Sequence, residues 1–437
     1  MTDEAGATGA YASGTVGAAN SLVGGLRLPA DKSVAHRALL FNAMAEGEAE
    51  VTVARPGEDV LSMAHVLQTL GAVDSISEGP AGFTRVRLRG GGTRKAARLP
   101  GSGGEILDCG NAGTAMRLLI GALSGRSAAA TLTGDASLSG RPMERVAAPL
   151  RRVGADIVTE DGHAPVLVKG SRQLTATEHE LPVASAQVIG ALTLAGLAAK
   201  GTTVITSPGP TRDHTERMLA WLGAPVRREG YVTTVEGPAG FAARTIDVPG
   251  DISGAAAWLV AGALHPDAHI VIEEVGLNPS RTGIIDVLRE MGADIKVASD
   301  GPTEWCPEPV GTITVSGGQP LRAIDLSGDR VADVIDELPL IAMVMAAAEG
   351  TSTLSGAREL RFKESDRIAR VVEGLLAVGA RAEEREDGWS VSKGTPQDAT
   401  IRTDGDHRIA MSFAVAALTG VAGTVEIDDP ACAAVSY

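Results

Sequence analysis

The sequence predicts an α/β (α+β) fold of two domains. Each is built from three copies of a helix-strand-helix-strand-strand unit, and polar loops meet in the cleft between them. Three observations carry this expectation. An Ala-rich apolar run opens on small or charged residues, ends near glycine and is followed by a short Thr/Val stretch. It recurs six times, as KSVAHRALLFNAMAEGEAEVTV, GNAGTAMRLLIGALSGRSAAATL, SAQVIGALTLAGLAAKGTTVI, ISGAAAWLVAGALHPDAHIVI, DELPLIAMVMAAAEGTSTL and DHRIAMSFAVAALTGVAGTVEI. A second phrase, Leu-x-x-x-Gly-Ala, lies between successive copies. Its glycines are Gly71, Gly154, Gly223, Gly292 and Gly379, spaced by 69 to 87 residues. Ionic residues gather where the units begin or turn. Repetition on this scale marks duplicated supersecondary units.

Within a unit the elements follow in order. The apolar run predicts a helix of about 12 to 15 residues packed on a sheet. EVTV, TTVI and HIVI then read as short strands. A more amphipathic helix comes next, as in DVLSMAHVLQTLGA, MERVAAPLRRVGA, HTERMLAWLGA, TGIIDVLREMGA and SDRIARVVEGLLAVGA. Its apolar residues recur at helical spacing and glycine ends it. Two strands close the unit, for example ADIVTED with APVLVKG, or APVRREG with YVTTVEG. The sixth copy stops soon after its first strand, and the N-terminal strand near VGGLRLP is expected to complete it. The expected domains are a loose arm over 1–20, a discontinuous domain of 21–31 plus 249–437, and an inserted domain of 32–248. The crossings fall at Pro29-Ala30-Asp31 and Val248-Pro249-Gly250, both with turn chemistry.

Composition narrows the function classes. The 437 residues suffice for two domains, and 44% apolar with 21% charged residues is an ordinary globular balance. Only 3% of residues are aromatic, so the cores rest on Ala, Leu, Val and Ile, and stacking platforms for bases are not expected. A net charge of −15 offers no footprint for nucleic acid, although an acidic protein can hold a local positive cleft. Cys109, Cys306 and Cys432 are odd in number and far apart, so neither a disulfide framework nor a Cys-x-x-Cys metal site is expected. The first twenty residues lack the basic and apolar segments of a secretory signal. The apolar helices carry charges or are too short to span a bilayer. A cytoplasmic location and no membrane partner are the expectation.

At least six clusters at helix starts can do chemistry. In LRLPADKSVAHRALL, Lys32 and Ser33 can meet an anion at a helix N-terminus, with Arg37 one turn on. The spacing does not match the phosphate-binding GxxxxGK[ST] loop. In DCGNAGTAMRLL, Gly110, Asn111 and Gly113 allow close backbone approach, and Thr114 and Arg117 follow. In LTGDASLSGRPMERV, Arg141 precedes a Pro-started helix and offers a fork for carboxylate or phosphate. ASAQVIGAL places Ser185 and Gln187 at a helix start, and Arg212 lies before another helix. His214 is expected to be a cap or surface residue. DVIDELPLIAM contributes Asp336 and Glu337. ELRFKESDRIARV contributes Lys363, Glu364 and Arg367, which helical spacing would put on one face. GDHRIAMSF contributes Asp406, His407 and Arg408, with His407 read either as a site residue or as a cap. Each cluster taken alone also fits a plain cap or a solvated ion pair. Together they fit a site for more than one anionic group, with Asp336 and Glu364 as proton-transfer candidates.

At these motifs the chain resembles the 5-enolpyruvylshikimate-3-phosphate synthase family of enolpyruvyl transferases. The likeness spans residues 22 to 437 and runs through LPADKSVAHRA, DCGNAGTAMR, LTGDASLSGRP, SAQV, TRDHTE, IDELP, FKESDR and DHRIAMSF. The resemblance implies an enolpyruvyl-transferase-like fold of six related units with its active site in the interdomain cleft. It implies transfer of the carboxyvinyl group of phosphoenolpyruvate to the 5-hydroxyl of shikimate 3-phosphate, with no metal or organic cofactor, in a monomer. It assigns Lys32, Ser33, Arg37, Ser185, Ala186, Gln187, Arg212, Asp336 and Lys363 to shikimate 3-phosphate. Lys32, Gly113, Arg141, Gln187, Arg367 and Arg408 go to phosphoenolpyruvate. Asp336 is then the base for the 5-hydroxyl, while Glu364 and Lys32 handle the proton near phosphoenolpyruvate.

Two departures from the family pattern are visible. Ser185-Ala186-Gln187 replaces the Ser-Ser-Gln of some members, and the closing AAVSY lacks the lysine that some carry. Both resemble the branch that contains glyphosate-tolerant enzymes, whereas Gly113 keeps room beside phosphoenolpyruvate; sensitivity or an intermediate response is expected. The alternatives are the sister transferase acting on a uridine-diphosphate amino sugar and a non-catalytic binder of anionic metabolites. The sister family usually carries a cysteine in its active-site loop, and DASLSGRP has none.

Overall fold

In the computed structural model, which describes residues 14–171 and 173–435, the six recurring runs form six inner helices. They span Lys32–Met44, Gly113–Ser124, Ala186–Gly196, Ile252–Leu264, Leu338–Ala347 and His407–Leu418. Each is buried on nearly all sides; in the first, every residue from Val34 to Met44 is buried. That burial is why these runs carry no polar face in the sequence. The amphipathic helices Glu58–Thr69, Glu144–Arg152, His214–Trp221, Gly283–Glu290 and Arg367–Ala377 cover the sheets from outside.

The Leu-x-x-x-Gly-Ala phrase is the stop of these outer helices. All five glycines have positive φ, from +79° at Gly71 to +107° at Gly292. In each case the alanine N–H bonds back to the leucine carbonyl, as in Ala72 to Leu67 at 2.9 Å and Ala293 to Leu288 at 2.9 Å. The glycine N–H bonds the carbonyl three residues earlier, as in Gly71 to Gln68 at 2.9 Å. These paired bonds satisfy helix-end carbonyls, and the left-handed conformation they need favours glycine.

Among the described residues, five sheets have four strands and one has three. The third unit shows the pattern: Glu178–Glu180 pairs in parallel with Gly201–Thr206, which pairs antiparallel with Val232–Gly237, which in turn pairs with Val226–Glu229. The strand leading into the inner helix is an addition to the predicted unit. It is only two to four residues long in Glu105–Asp108, Glu178–Glu180, Ile246–Asp247, Asp325–Leu326 and Ala399–Ile401. Such lengths carry no readable alternation.

The N-terminal strand differs from its expected place. Leu22–Arg27 pairs in parallel with Ala268–Glu273 and so leads the fourth sheet, not the sixth. The sixth sheet is completed by Thr15–Val16, antiparallel to Val425–Glu426. Length explains the choice. The strand Val425–Ile427 offers three residues to pair, too few for a six-residue strand, whereas Ala268–Gly276 offers nine. Of the arm expected over 1–20, residues 1–13 lie outside the described residues, and its described end is paired rather than loose.

Two separate hydrophobic cores result. One gathers residues between Val34 and Val248, the other Leu28 and residues from Ile252 to Cys432. Inner helices meet closely within a core: a Cβ on Gly121 would stand 2.3 Å from the Ala191 carbonyl oxygen, so only glycine permits that contact. The chain crosses between cores twice, and the crossings pair with each other. Asp31 N–H bonds the Pro249 carbonyl at 2.8 Å, and Asp251 N–H bonds the Pro29 carbonyl at 3.0 Å. Among the described residues no helix is long and apolar enough to cross a membrane.

Candidate active site

All six inner helices begin at one cleft of about 1990 Å³ between the two cores. Its walls include Lys32, Gly113, Ser185, Asp251, Asp336 and Arg408, one from the start of each helix. Helix N-termini carry unpaired N–H groups and partial positive charge, so their convergence favours anionic ligands.

The first helix is capped by Asp31, whose Oδ1 accepts from Val34 N–H at 2.9 Å. Lys32 Nζ lies 3.2 Å from Asp59 Oδ2 at the start of the neighbouring outer helix. Ser33 lines the cleft. Arg37 stands behind it rather than among the lining side chains. It is 3% exposed and donates to Thr215 Oγ1 at 2.8 Å and to the Ser33 carbonyl at 3.0 Å. Burial lowers its pKa to about 10, which leaves it cationic at neutral pH.

On the second and third helices the site is a mesh of forks and amides. Gly113 starts its helix, and a Cβ there would meet Arg117 Nη1 and Arg141 Nη1, each at 3.3 Å. Arg141 Nη2 donates to Asn111 Oδ1 at 2.7 Å and to Ser137 Oγ at 3.3 Å. Ser185 caps the third helix, accepting from Val188 N–H at 3.4 Å, and Ala186 follows on the wall. Gln187 Oε1 accepts from Arg117 Nη1 at 2.8 Å and Arg145 Nη2 at 3.2 Å, while its Nε2 donates to Thr114 Oγ1 at 3.1 Å.

The opposite wall carries the carboxylates. Asp336 Oδ2 accepts from Arg212 Nη2 at 2.5 Å, an ion pair that bridges the cleft. Its Oδ1 lies 3.7 Å from Lys363 Nζ and 3.6 Å from Arg367 Nη1. Burial alone would raise this carboxyl, but Arg212, Lys363, Arg408 and Arg367 outweigh it and hold it well below its usual range. Arg367, 2% exposed, donates to Glu364 Oε2 at 2.6 Å and to Asp406 Oδ2 at 2.8 Å. Burial opposes ionisation of Glu364, and Arg367 overrides it, so its carboxyl also sits low. Arg408 Nη1 is 3.8 Å from Glu337 Oε1.

Two expectations are corrected here. Lys363, Glu364 and Arg367 do come together, but not on one helical face. The helix begins at Arg367, capped by Asp366, and the other two lie in the turn before it. His214 is neither a cap nor a surface residue. It is 2% exposed, with Nδ1 2.8 Å from Glu308 Oε1, because a carboxylate 1% exposed requires a partner. His407 is the first residue of its helix, while Asp406 supplies the cap. Burial, aided by Arg408, lowers His407 to about 4. Asp59 as the Lys32 partner and Asp406 as the Arg367 anchor were missed, because pairs distant in sequence leave no local signal. Among the described residues no three His, Cys, Asp or Glu side chains are grouped to hold a metal ion.

The sequence profile described as EPSP synthase (3-phosphoshikimate 1-carboxyvinyltransferase) matches residues 16–437. A 3-phosphoshikimate 1-carboxyvinyltransferase of Gloeobacter violaceus is 45% identical over 423 residues, covering 96% of this chain and 95% of that one. The protein of the same name from Alkalilimnicola ehrlichii is 45% identical over 413 residues, covering 94% and 90%. The solved EPSP synthase of Acinetobacter baumannii superposes with a TM-score of 0.85 at 40% identity, covering 97% of this chain and 95% of that one. The enolpyruvyl transferase NikO of Streptomyces tendae shares the fold at 18% identity, with a TM-score of 0.70 over 97% and 94% of the two chains.

Proposed function

The chain belongs to the EPSP synthase family, and from that premise we propose how its cleft performs the family reaction. It transfers the enolpyruvyl group of phosphoenolpyruvate to shikimate 3-phosphate and releases phosphate, a step of aromatic amino acid biosynthesis. The observation that carries the residue assignment is the convergence of six inner-helix starts on one cleft, where cations from the outer-helix entrances join them and Arg212, Lys363 and Arg367 surround Asp336.

In this reading Lys32, Ser33, Ser185, Ala186, Gln187, Arg212, Asp336 and Lys363 hold shikimate 3-phosphate from the cleft wall, and Arg37 adds its charge from behind Ser33. Lys32, Gly113, Arg141, Gln187, Arg367 and Arg408 hold phosphoenolpyruvate. The 5-hydroxyl oxygen bonds to C2 of phosphoenolpyruvate and gives its proton to Asp336. C3 takes a proton delivered by Glu364 or Lys32, which makes a tetrahedral intermediate. The C2–O bond to phosphate then breaks, C3 returns a proton, and the vinyl group is restored on the new ether. Arg212 occupies Asp336 before substrate arrives. When the shikimate ring draws Arg212 away, the carboxylate loses a stabilising cation and its basicity rises. Guanidinium forks around the departing phosphate stabilise developing charge without reorganisation.

Cys109 does not favour the amino-sugar alternative. It is fully buried, and burial with the Asp108 charge pushes its thiol up to about 12, far from a reactive thiolate. The domain limits 21–31 plus 249–437 and 32–248 are part of the proposal, supported by the two cores and the paired crossings. So are a monomer and a cytoplasmic location; sedimentation tests the first and cell fractionation the second. Phosphate release with phosphoenolpyruvate and either acceptor tests the reaction. Turnover with shikimate 3-phosphate is expected; none, or turnover only with the uridine-diphosphate amino sugar, would overturn it.

A further inference from the structure

Arg281 lies on the wall of the cleft with no substrate assigned to it above, in the turn that leads into the outer helix Gly283–Glu290, and is 4% exposed. Its guanidinium reaches both chain crossings at once. Nη1 is 3.4 Å from Asp31 Oδ2, and Nη2 is 3.2 Å from Asp251 Oδ1. These two carboxylates are the N-caps of the first inner helix of each core, through Val34 N–H at 2.9 Å and Ser253 N–H at 2.8 Å. One buried fork therefore holds the starts of both helices.

The connection continues into the cleft. Arg281 Nη2 donates to Ser253 Oγ at 2.6 Å, and Ser253 Oγ donates to Glu337 Oε1 at 2.5 Å. Glu337 neighbours Asp336 in sequence and faces Arg408 Nη1 at 3.8 Å. On the other side Asp31 directly precedes Lys32 and Ser33. The fork is turned so that both terminal nitrogens serve these groups, while its Nε is buried with no partner among the described residues. Leaving a buried donor unpaired is costly, and simple packing gives no reason for that orientation. Without the cation, the buried Asp31 and the half-buried Asp251 would face each other, like-charged, across the paired crossings.

We propose that Arg281 is a positioning residue of the reaction: it sets Lys32, on one core, in register with Arg408, on the other. The proposal rests on the functional reading above. Lys32 serves both substrates, but most other groups assigned to shikimate 3-phosphate lie on the first core with it and keep their places relative to it, whereas Arg408 serves phosphoenolpyruvate alone. The loss should therefore fall on phosphoenolpyruvate.

Arg281→Lys tests this, because it keeps the charge and removes the planar fork. In a folded variant, kcat/KM for phosphoenolpyruvate should fall by about 10- to 100-fold, the scale of an ångström-level misplacement. Binding of shikimate 3-phosphate alone should stay within about threefold, and the wild-type melting temperature should be nearly kept. Backbone hydrogen exchange at Asp31 and Asp251 should quicken by about tenfold or more, with inner-helix amides unchanged. Ser253→Ala, which cuts the relay without removing a charge, should lower kcat/KM for phosphoenolpyruvate by about three- to tenfold and serves if the lysine variant does not fold. Unchanged kcat/KM for phosphoenolpyruvate in a folded Arg281→Lys enzyme would overturn the proposal. So would an equal loss of shikimate 3-phosphate binding. If the wild type releases no phosphate, the reading of the reaction fails, and the exchange rates at the two crossings still decide what Arg281 holds.

Discussion

Asp336 meets Arg212, Lys363 and Arg367 at once, and Glu364 is drawn low by Arg367. Both carboxylates are therefore ionised at neutral pH in the free enzyme, ready as bases; Glu364 delivers a proton only after desolvation in the complex has let it take one up. Glu364→Gln should lower kcat by about 10²- to 10⁴-fold while leaving shikimate 3-phosphate affinity within a few-fold, checked by single-turnover kinetics and calorimetry. The buried His36 acts on stability instead. Neither ring nitrogen has a partner among the described residues, and burial lowers its pKa from 6.5 to about 3. The unfolded chain thus binds more protons over that interval, and stability falls as pH drops from about 6.5 toward 3. His36→Leu should reduce that acid-side loss by on the order of 3 kcal/mol, read from denaturation midpoints across the pH series. Gly113→Ala pushes a methyl against two guanidinium groups. It should raise KM for phosphoenolpyruvate and the glyphosate inhibition constant together; equal inhibition constants in both enzymes would reject a steric role.

Elements differ in how openly the sequence announces them. The five Leu-x-x-x-Gly-Ala stops are legible because the αL conformation and the two back-bonds are local demands on a few consecutive residues. The inner helices are legible as apolar runs for the opposite reason, since burial on all sides removes their polar face. Leading strands of two to four residues are not legible, and neither was the exchange that sends Leu22–Arg27 to the fourth sheet and Thr15–Val16 to the sixth. Pairing partners are chosen by length and geometry across the molecule. Gly223 isolates the backbone demand, since its φ is +90° and a Cβ would meet nothing within 4 Å. Gly223→Ala should cost about 1–2 kcal/mol in urea denaturation with activity unchanged at saturating substrate.

At the scale of the whole molecule, the repeat places the chemistry. Six buried helices start at one cleft and outer helices enter beside them, so Lys32, Arg141, Arg367 and Arg408 gather there although up to 376 residues separate them in the chain. The residues that line the cleft were largely visible at the helix starts. The pairings of Lys32 with Asp59, Arg367 with Asp406, and Arg281 with Asp31 and Asp251 were not, because long-range ion pairs have no spacing to read. The central claim is that this cleft adds the 5-hydroxyl of shikimate 3-phosphate to phosphoenolpyruvate with Asp336 as base. Single-turnover phosphate release by Asp336→Asn, with both substrates saturating and binding verified by calorimetry, tests it most directly. The predicted result is release slowed by about 10²- to 10⁴-fold with both ligands bound; release at the wild-type rate would contradict it.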